Sequence, residues 1–169
     1  MAHLEKPCRS RMQAFLRMAQ DWRDHGQDRY EHALRDFDAY LASIQRFEDP
    51  AQLPEHLVPG VVFCLVHDEE VVAGARLRLA LNAALQVEGG HIGYDVRPSS
   101  RRQGFGSLAL QLTLREARRR GLERVLLTAD TDNHASIRII EKCGGTLSGG
   151  ATSPESGKPI SHYWIEVPR

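Results

Sequence analysis

Arg97-Pro-Ser-Ser-Arg101-Arg102-Gln103-Gly104-Phe105-Gly106-Ser107 stands between a strand-like run that ends at Val96 and a helix-forming run that begins at Leu108. A glycine-rich turn at a helix start leaves several backbone N–H groups unpaired and pointing outward. Together with the positive helix end they form an anion site. Gly104 and Gly106 let the main chain come close to a phosphate, and Arg101 and Arg102 offer guanidinium forks that match phosphate oxygens. Without a ligand the same stretch is a turn carrying solvated arginines. Two nucleotide motifs fit worse: a dinucleotide fingerprint lacks its third glycine at Leu108-Ala109, and a P-loop lacks Gly-Lys-Ser/Thr.

Working outward, Leu108–Leu114 alternates with period two, but the helix formers Arg115–Arg120 and the stop at Gly121 favour a helix. Val125–Ala129 is then a short buried strand. Asp132 or Asn133 caps a second helix that carries Ile137 and Ile140 and stops at Gly144-Gly145. Strand, helix, strand, helix is the α/β signature. On the other side, Val61–Val66, a tight turn at His67–Glu70, Val71–Leu81, a turn at Asn82–Ala84 and Val87–Val96 read as three neighbouring antiparallel strands. Glycines 89, 90 and 93 weaken the last strand as ordinary sheet and mark a bulge or a close approach of a ligand or another backbone. Two helical stripes precede the sheet, Met12 to Trp22 and Tyr30 to Ile44, separated at Gly26. Prolines 50, 54 and 59 make a loop before Val61. Gly145–Ser148 and Ile160–Val167 are weaker strands at the end.

With 169 residues and 41% hydrophobic content, the chain has the size of one domain with a substantial core. Basic and acidic residues both number 22, which excludes a generic polycationic binder of nucleic acid or membrane on total charge. The distribution is uneven, because eight arginines and only two acids lie between Arg97 and Arg124. The run Arg115–Arg120 has no interleaved aromatic for base stacking, and its helix needs the opposite face for the core, so it reads as a solvated face. Cys8, Cys64 and Cys143 are widely spaced and form no metal-ligand cluster, so no metal is expected and the thiols read as buried and free. The N-terminus lacks an apolar leader, and no stretch approaches the ~20 apolar residues of a span. A cytoplasmic protein without membrane or nucleic-acid partners is the expectation.

The pattern Arg101-x-x-Gly104-x-Gly106, preceded by Val96-Arg97-Pro98 and followed by Asn133-x-x-Ser136, resembles the GNAT acetyltransferase superfamily. The resemblance runs from about Val61 to Val167, with its specific core at Gly90–Gly145. It is carried by the segments His91-Ile-Gly-Tyr-Asp-Val-Arg-Pro-Ser99 and Asp132-Asn-His-Ala-Ser-Ile-Arg-Ile-Ile-Glu-Lys-Cys-Gly-Gly145. It implies one N-acetyltransferase domain over residues 1–169: a helical part at 1–60 shaping the acceptor side, a core with the cofactor site at 61–145, and C-terminal strands at 146–169. The implied fold is mixed α/β, with a central, mostly antiparallel twisted sheet flanked by helices and splayed at the cofactor strand.

The resemblance further implies acetyl-CoA as cosubstrate. Arg101, Arg102, Gln103, Gly104, Phe105, Gly106 and Ser107 would hold its pyrophosphate. Asp95 and Val96 would pair with the pantetheine arm as a pseudo-strand, and Asn133 and Ser136 would contact that arm, unless they only cap and solvate their helix.

Direct transfer to an amine requires a base, an oxyanion donor and an acid for the thiolate. His91, whose reference pKa is about 6.5, is the first candidate base, and Glu88, acting directly or through water, is the second. The family's tyrosine after Asn133 is replaced by Ile140, which leaves Tyr94, Tyr163 or water as the acid. Trp22, Tyr30, Phe37 and Tyr40 either line the acceptor pocket or belong to the core. A small amine or amino-acid-like acceptor and a possible homodimer complete the expectation. The alternative is a CoA-binding module without catalysis.

Overall fold

The computed structural model describes residues 1–167. Its element order is β1 (His3–Glu5), α1 (Met12–Asp24), α2 (Glu31–Arg35), α3 (Phe37–Glu48), β2 (Gly60–His67), β3 (Glu70–Arg78), α4 (Ala83–Val87), β4 (Ile92–Val96), α5 (Phe105–Arg119), β5 (Arg124–Asp130), α6 (His134–Lys142), β6 (Thr146–Thr152) and β7 (Pro159–Glu166). The strands form two antiparallel sheets, in the orders β1-β2-β3-β4 and β5-β7-β6.

Period-two alternation in β2 and β3 divides the core. Val61, Phe63, Ala75 and Leu77 face α5 and the second sheet, where they meet Leu110, Leu114, Leu127, Ile140 and Tyr163. Cys64, Val66 and Val71 face α1–α3, packing on Phe15, Met18, Trp22, Phe37, Leu41 and Ile44. Asp68 and Glu69 turn β2 into β3 with φ of 47° and 65°, the left-handed pair that matches strand twist in a two-residue hairpin.

Several expectations are corrected. A first strand is present: β1 pairs with β2 through Leu4↔Leu65, but three residues give no periodicity to read. The second helical stripe is two helices, because Asp36 breaks it with extended backbone and caps α3 by accepting from the Ala39 N–H. Asn82–Ala84 is not a simple turn: Asn82 Oδ1 accepts from the Leu85 N–H and starts α4. Helix α4 uses up Ala83–Val87, and positive φ at Gly89 and Gly90 delays β4 to Ile92. Only Cys64 is fully buried, while Cys8 and Cys143 are half-exposed.

The basic run of α5 is largely spoken for: Arg119 and Arg120 pair with Glu116, and Arg120 lies over the Phe63 ring. No helix among the described residues is long and apolar enough to cross a membrane.

Candidate active site

The two sheets touch at one place and diverge from it. The His91 N–H donates to Leu126 O at 2.7 Å, and the Leu126 N–H donates to His91 Nδ1 at 2.9 Å. An imidazole thus takes the part of a main-chain carbonyl, and beyond it β4 has no strand on that edge among the described residues. Gly90 permits this contact, since a Cβ there would stand 2.3 Å from Leu126 O.

Because Nδ1 accepts, the neutral ring carries its proton on Nε2, where it is a donor. Burial, with the Arg78 charge nearby, holds His91 below the ordinary histidine range. Protonation is therefore harder in the folded chain than in the unfolded one. The stabilisation is complete above the unfolded value near 6.5 and is lost as pH falls from there toward the depressed folded value. The melting temperature of the wild type is expected to fall more steeply from about pH 7.5 to about pH 5.5 than that of His91→Asn, whose carbonyl keeps an acceptor without titrating. Parallel calorimetric curves would contradict this role. His91→Ala leaves the Leu126 N–H unpaired, at a cost of about 1–3 kcal/mol.

The loop after β4 is anchored at its root and open at its tip. Arg97 pairs with Glu70 at 3.0 Å and approaches Asp21 at 3.5 Å, and Asp21 also accepts from the Ser99 N–H at 2.9 Å. Arg102 and Gly104 have φ of 61° and 87°, and α5 starts immediately after. The consequence is a row of N–H groups, from Arg102 to Ser107, with no acceptor among the described residues. Arg101 lies over the Trp22 ring with its guanidinium carbon 5.1 Å from the centroid, while Arg102, Gln103 and Gly104 are exposed. Phe105 contributes its N–H to the row, but its ring packs against His67. Gly106 is buried against Ile139, Val96 and Tyr94, and a Cβ there would stand 2.8 Å from Ile139 Cδ1, so that side chain would have to shift.

Across the cleft, Asn133 Oδ1 caps α6 by accepting from the Ser136 N–H, and Ser136 Oγ meets the Tyr94 hydroxyl at 3.1 Å. Burial pushes Tyr94 up to about 12, against the pull of the Ser136 hydrogen bond, so it remains a protonated donor near neutral pH. Val96 packs with α5 and β1–β3. Tyr163 and Ile140 are buried in the core.

The opposite face of β4 opens into a pocket of about 330 Å³, lined by Phe15, Tyr30, Tyr40, Arg76, Gly93 and Asp95 among others. Tyr30 and Tyr40 therefore reach the pocket, whereas Trp22 and Phe37 are core residues. The Asp95 side chain is engaged: Arg29 Nε donates to it at 2.6 Å and the Tyr30 hydroxyl at 2.8 Å. Burial still holds its carboxyl above the usual range. Gly74 makes room for the Tyr30 hydroxyl, which stands 2.2 Å from where a Cβ would be.

Glu88 accepts from Ser153 Oγ at 2.8 Å, and the neighbouring Gly89 N–H donates to Thr128 Oγ1, two residues past Leu126 where the sheets part. Sequence reasoning missed Asp21 and Arg29, whose partners lie more than sixty residues away. It also missed Arg76 and Arg78, although their alternation on a strand marks a polar face.

A sheet splayed beside an anion-ready loop, with a pocket across the strand, is the architecture of acyl-CoA-dependent transferases. The sequence profile of the Acetyltransferase (GNAT) family matches residues 14–145. The chain belongs to that family of N-acetyltransferases. Among solved structures it is similar to Mycobacterium smegmatis RimJ in complex with CoA-disulfide, with a TM-score of 0.74 and 18% identity over 98% of this chain and 81% of that one. It is also similar to a Salmonella typhimurium acetyl transferase that modifies the N-terminal serine of ribosomal protein L7/L12, with a TM-score of 0.71 and 16% identity over 99% and 95% of the two chains. A third similar structure is yncA of Salmonella typhimurium, a putative acetyltransferase with acetyl-CoA bound, with a TM-score of 0.66 and 16% identity over 99% and 95%. No curated protein sequence matches.

Proposed function

We propose that this chain binds acetyl-CoA along the free edge of β4 and transfers its acetyl group to the amine of a small, amino-acid-like acceptor by direct attack. The single observation that carries this reading is the row of unpaired N–H groups from Arg102 to Ser107, set beside the parting of β4 from β5 and backed by a pocket across the strand.

Bound acetyl-CoA would supply an activated acetyl group as its thioester. The loop N–H groups hold the pyrophosphate, with Gly104 and Gly106 keeping the main chain bare and Arg101 and Arg102 adding charge. The unpartnered edge at Asp95 and Val96 takes the pantetheine arm, with Asn133 and Ser136 on its other side. Backbone donors on that edge serve the oxyanion.

Of the two candidate bases, His91 has its Nδ1 committed to Leu126 and presents a donor at Nε2, so it acts by holding the sheets at their joint. Glu88, whose carboxylate accepts from Ser153 Oγ, takes the ammonium proton, directly or through one water. Tyr94, still protonated at neutral pH, gives a proton to the departing thiolate from its place at Ser136.

The test is thiol release from acetyl-CoA by the purified chain over a panel of amino acids and simple amines, run beside a peptide with a free N-terminus. Turnover of small amines supports the reading. A preference for the peptide moves the acceptor to protein N-termini, the substrates of one similar enzyme. Tight acetyl-CoA binding with no turnover leaves the non-catalytic module, which the loss of the family tyrosine at buried Ile140 favours.

A further inference from the structure

Arg76 and Arg78 lie two residues apart on β3, so they project from one face of the sheet. Both line the pocket across β4. Both also line an adjoining cavity of about 520 Å³, walled by Ile44, Phe47, Leu53, Leu57 and Leu85. The two spaces share Val62, Arg76 and Arg78, which puts the arginines at their junction.

Two neighbouring arginines are matched by carboxylates: half-buried Arg97 by Glu70 and Asp21, and Arg29 by Asp95. Arg76 and Arg78 form no ion pair among the described residues. Arg76 only stacks over Phe47, its guanidinium carbon 5.3 Å from the ring centroid. Arg78 Nη1 only donates to the carbonyls of Gly89 and Gly90. Burial and the neighbouring Arg76 push Arg78 down to about 10, the mark of a guanidinium short of negative charge. The pocket as a whole holds three arginines, Arg29, Arg76 and Arg78, against one carboxylate, Asp95, which Arg29 already neutralises.

An acceptor amine reaches such a site as an ammonium, which this surplus of positive charge repels unless the acceptor brings its own anion. A guanidinium pair with free donors is matched by a planar carboxylate. The adjoining cavity adds an apolar wall large enough for a branched or aromatic side group.

We infer that the acceptor is an amine carrying its own carboxylate and an apolar side group, with the carboxylate held by Arg76 and Arg78 and the side group in the cavity between α3 and α4. This rests on the acetyl-transfer reading, and it names the substrate class of that site.

The experiment compares matched probes on the full chain: leucine with leucinamide and isoamylamine, and phenylalanine with phenylalaninamide and phenethylamine. Thiol release gives kcat/KM for each, and calorimetry gives binding of the same probes to the protein saturated with CoA. The acids are expected to exceed their partners without a carboxylate by at least about tenfold in kcat/KM, the order expected of one charge-assisted contact. Arg76→Gln, at an exposed position whose loss leaves the core intact, is expected to bring that ratio toward one by raising KM for the acids while kcat holds. Carboxylate-dependent binding without turnover supports the arginine pair as the carboxylate site, but overturns the inference that its ligand is an acetyl acceptor, together with the catalytic reading. Equal turnover of acids and amides, or equal losses for both in Arg76→Gln, overturns the inference and keeps the catalytic reading. Absence of both binding and turnover for every acid also overturns it.

Discussion

Gly104→Val is expected to raise the dissociation constant for acetyl-CoA at least about 100-fold while leaving a folded protein. The residue has φ of 87° and nothing within 4 Å of the position a Cβ would take, so the chain has room for the substitution. What it lacks is a comfortable conformation. A β-branched residue in the left-handed region costs about 1–2 kcal/mol, which the exposed loop relieves by changing its backbone. That change turns the N–H groups of Arg102 to Ser107 away from one another. Each bond from such a group to a phosphate oxygen contributes about 1.5–3 kcal/mol, so losing one or two accounts for the factor. Calorimetric titration of acetyl-CoA, with circular dichroism to establish folding, makes the measurement. A folded Gly104→Val that binds like wild type would falsify the assignment of the loop. The companion Gly106→Leu adds a steric component, because a Cβ there already lies 2.8 Å from Ile139 Cδ1, and its weaker binding is to be read only with an unchanged melting temperature.

Glu88→Gln is expected to lower kcat about 100-fold to 1,000-fold, with the KM for acetyl-CoA nearly unchanged. Glutamine is of the same size and its carbonyl still accepts from Ser153 Oγ, so the turn at Glu88–Gly90 keeps its shape. It has no oxygen able to take a proton, and an ammonium that keeps its proton has no lone pair with which to attack. Steady-state kinetics at saturating acceptor separates this from a packing effect, which would lower the melting temperature and disturb both KM values. Full activity in Glu88→Gln would return the proton to water or to another group. The contrast with His91 variants is diagnostic, since those are expected to act first on stability.

The glycine loop and the helix start after it were legible in the sequence because their determinants are local: two glycines one residue apart, flanking arginines and a helix-forming run directly after. The same holds for Asn133, whose capping role needs only Ser136 three residues on. The role of His91 was not legible, because its partner Leu126 lies 35 residues away and an imidazole in place of a carbonyl leaves no periodic trace. Helix α4 escaped notice for a related reason: five residues show less than two turns of pattern, and only the Asn82 cap declares them. The break at Asp36 was masked because Tyr30, Leu34, Phe37 and Leu41 keep helical spacing across it. Arg76 and Arg78 carry no local mark of a site, and only the arrival of α3 and α4 over their face turns them into pocket walls.

Gly93 lines the pocket on one side of β4 and belongs to the strand whose other edge is free, and a Cβ built on it meets nothing within 4 Å. No packing demand explains a bare backbone there. On the proposed reading the strand is a partition between two compartments, and residue 93 is its doorway. The first carbon of any side chain would stand in the opening, so the fold would survive and each compartment could still fill, yet donor and acceptor would no longer meet. Reactivity on that reading depends on an atom that is missing, and one mutational step at this glycine would turn a transferase into a protein that merely holds two ligands.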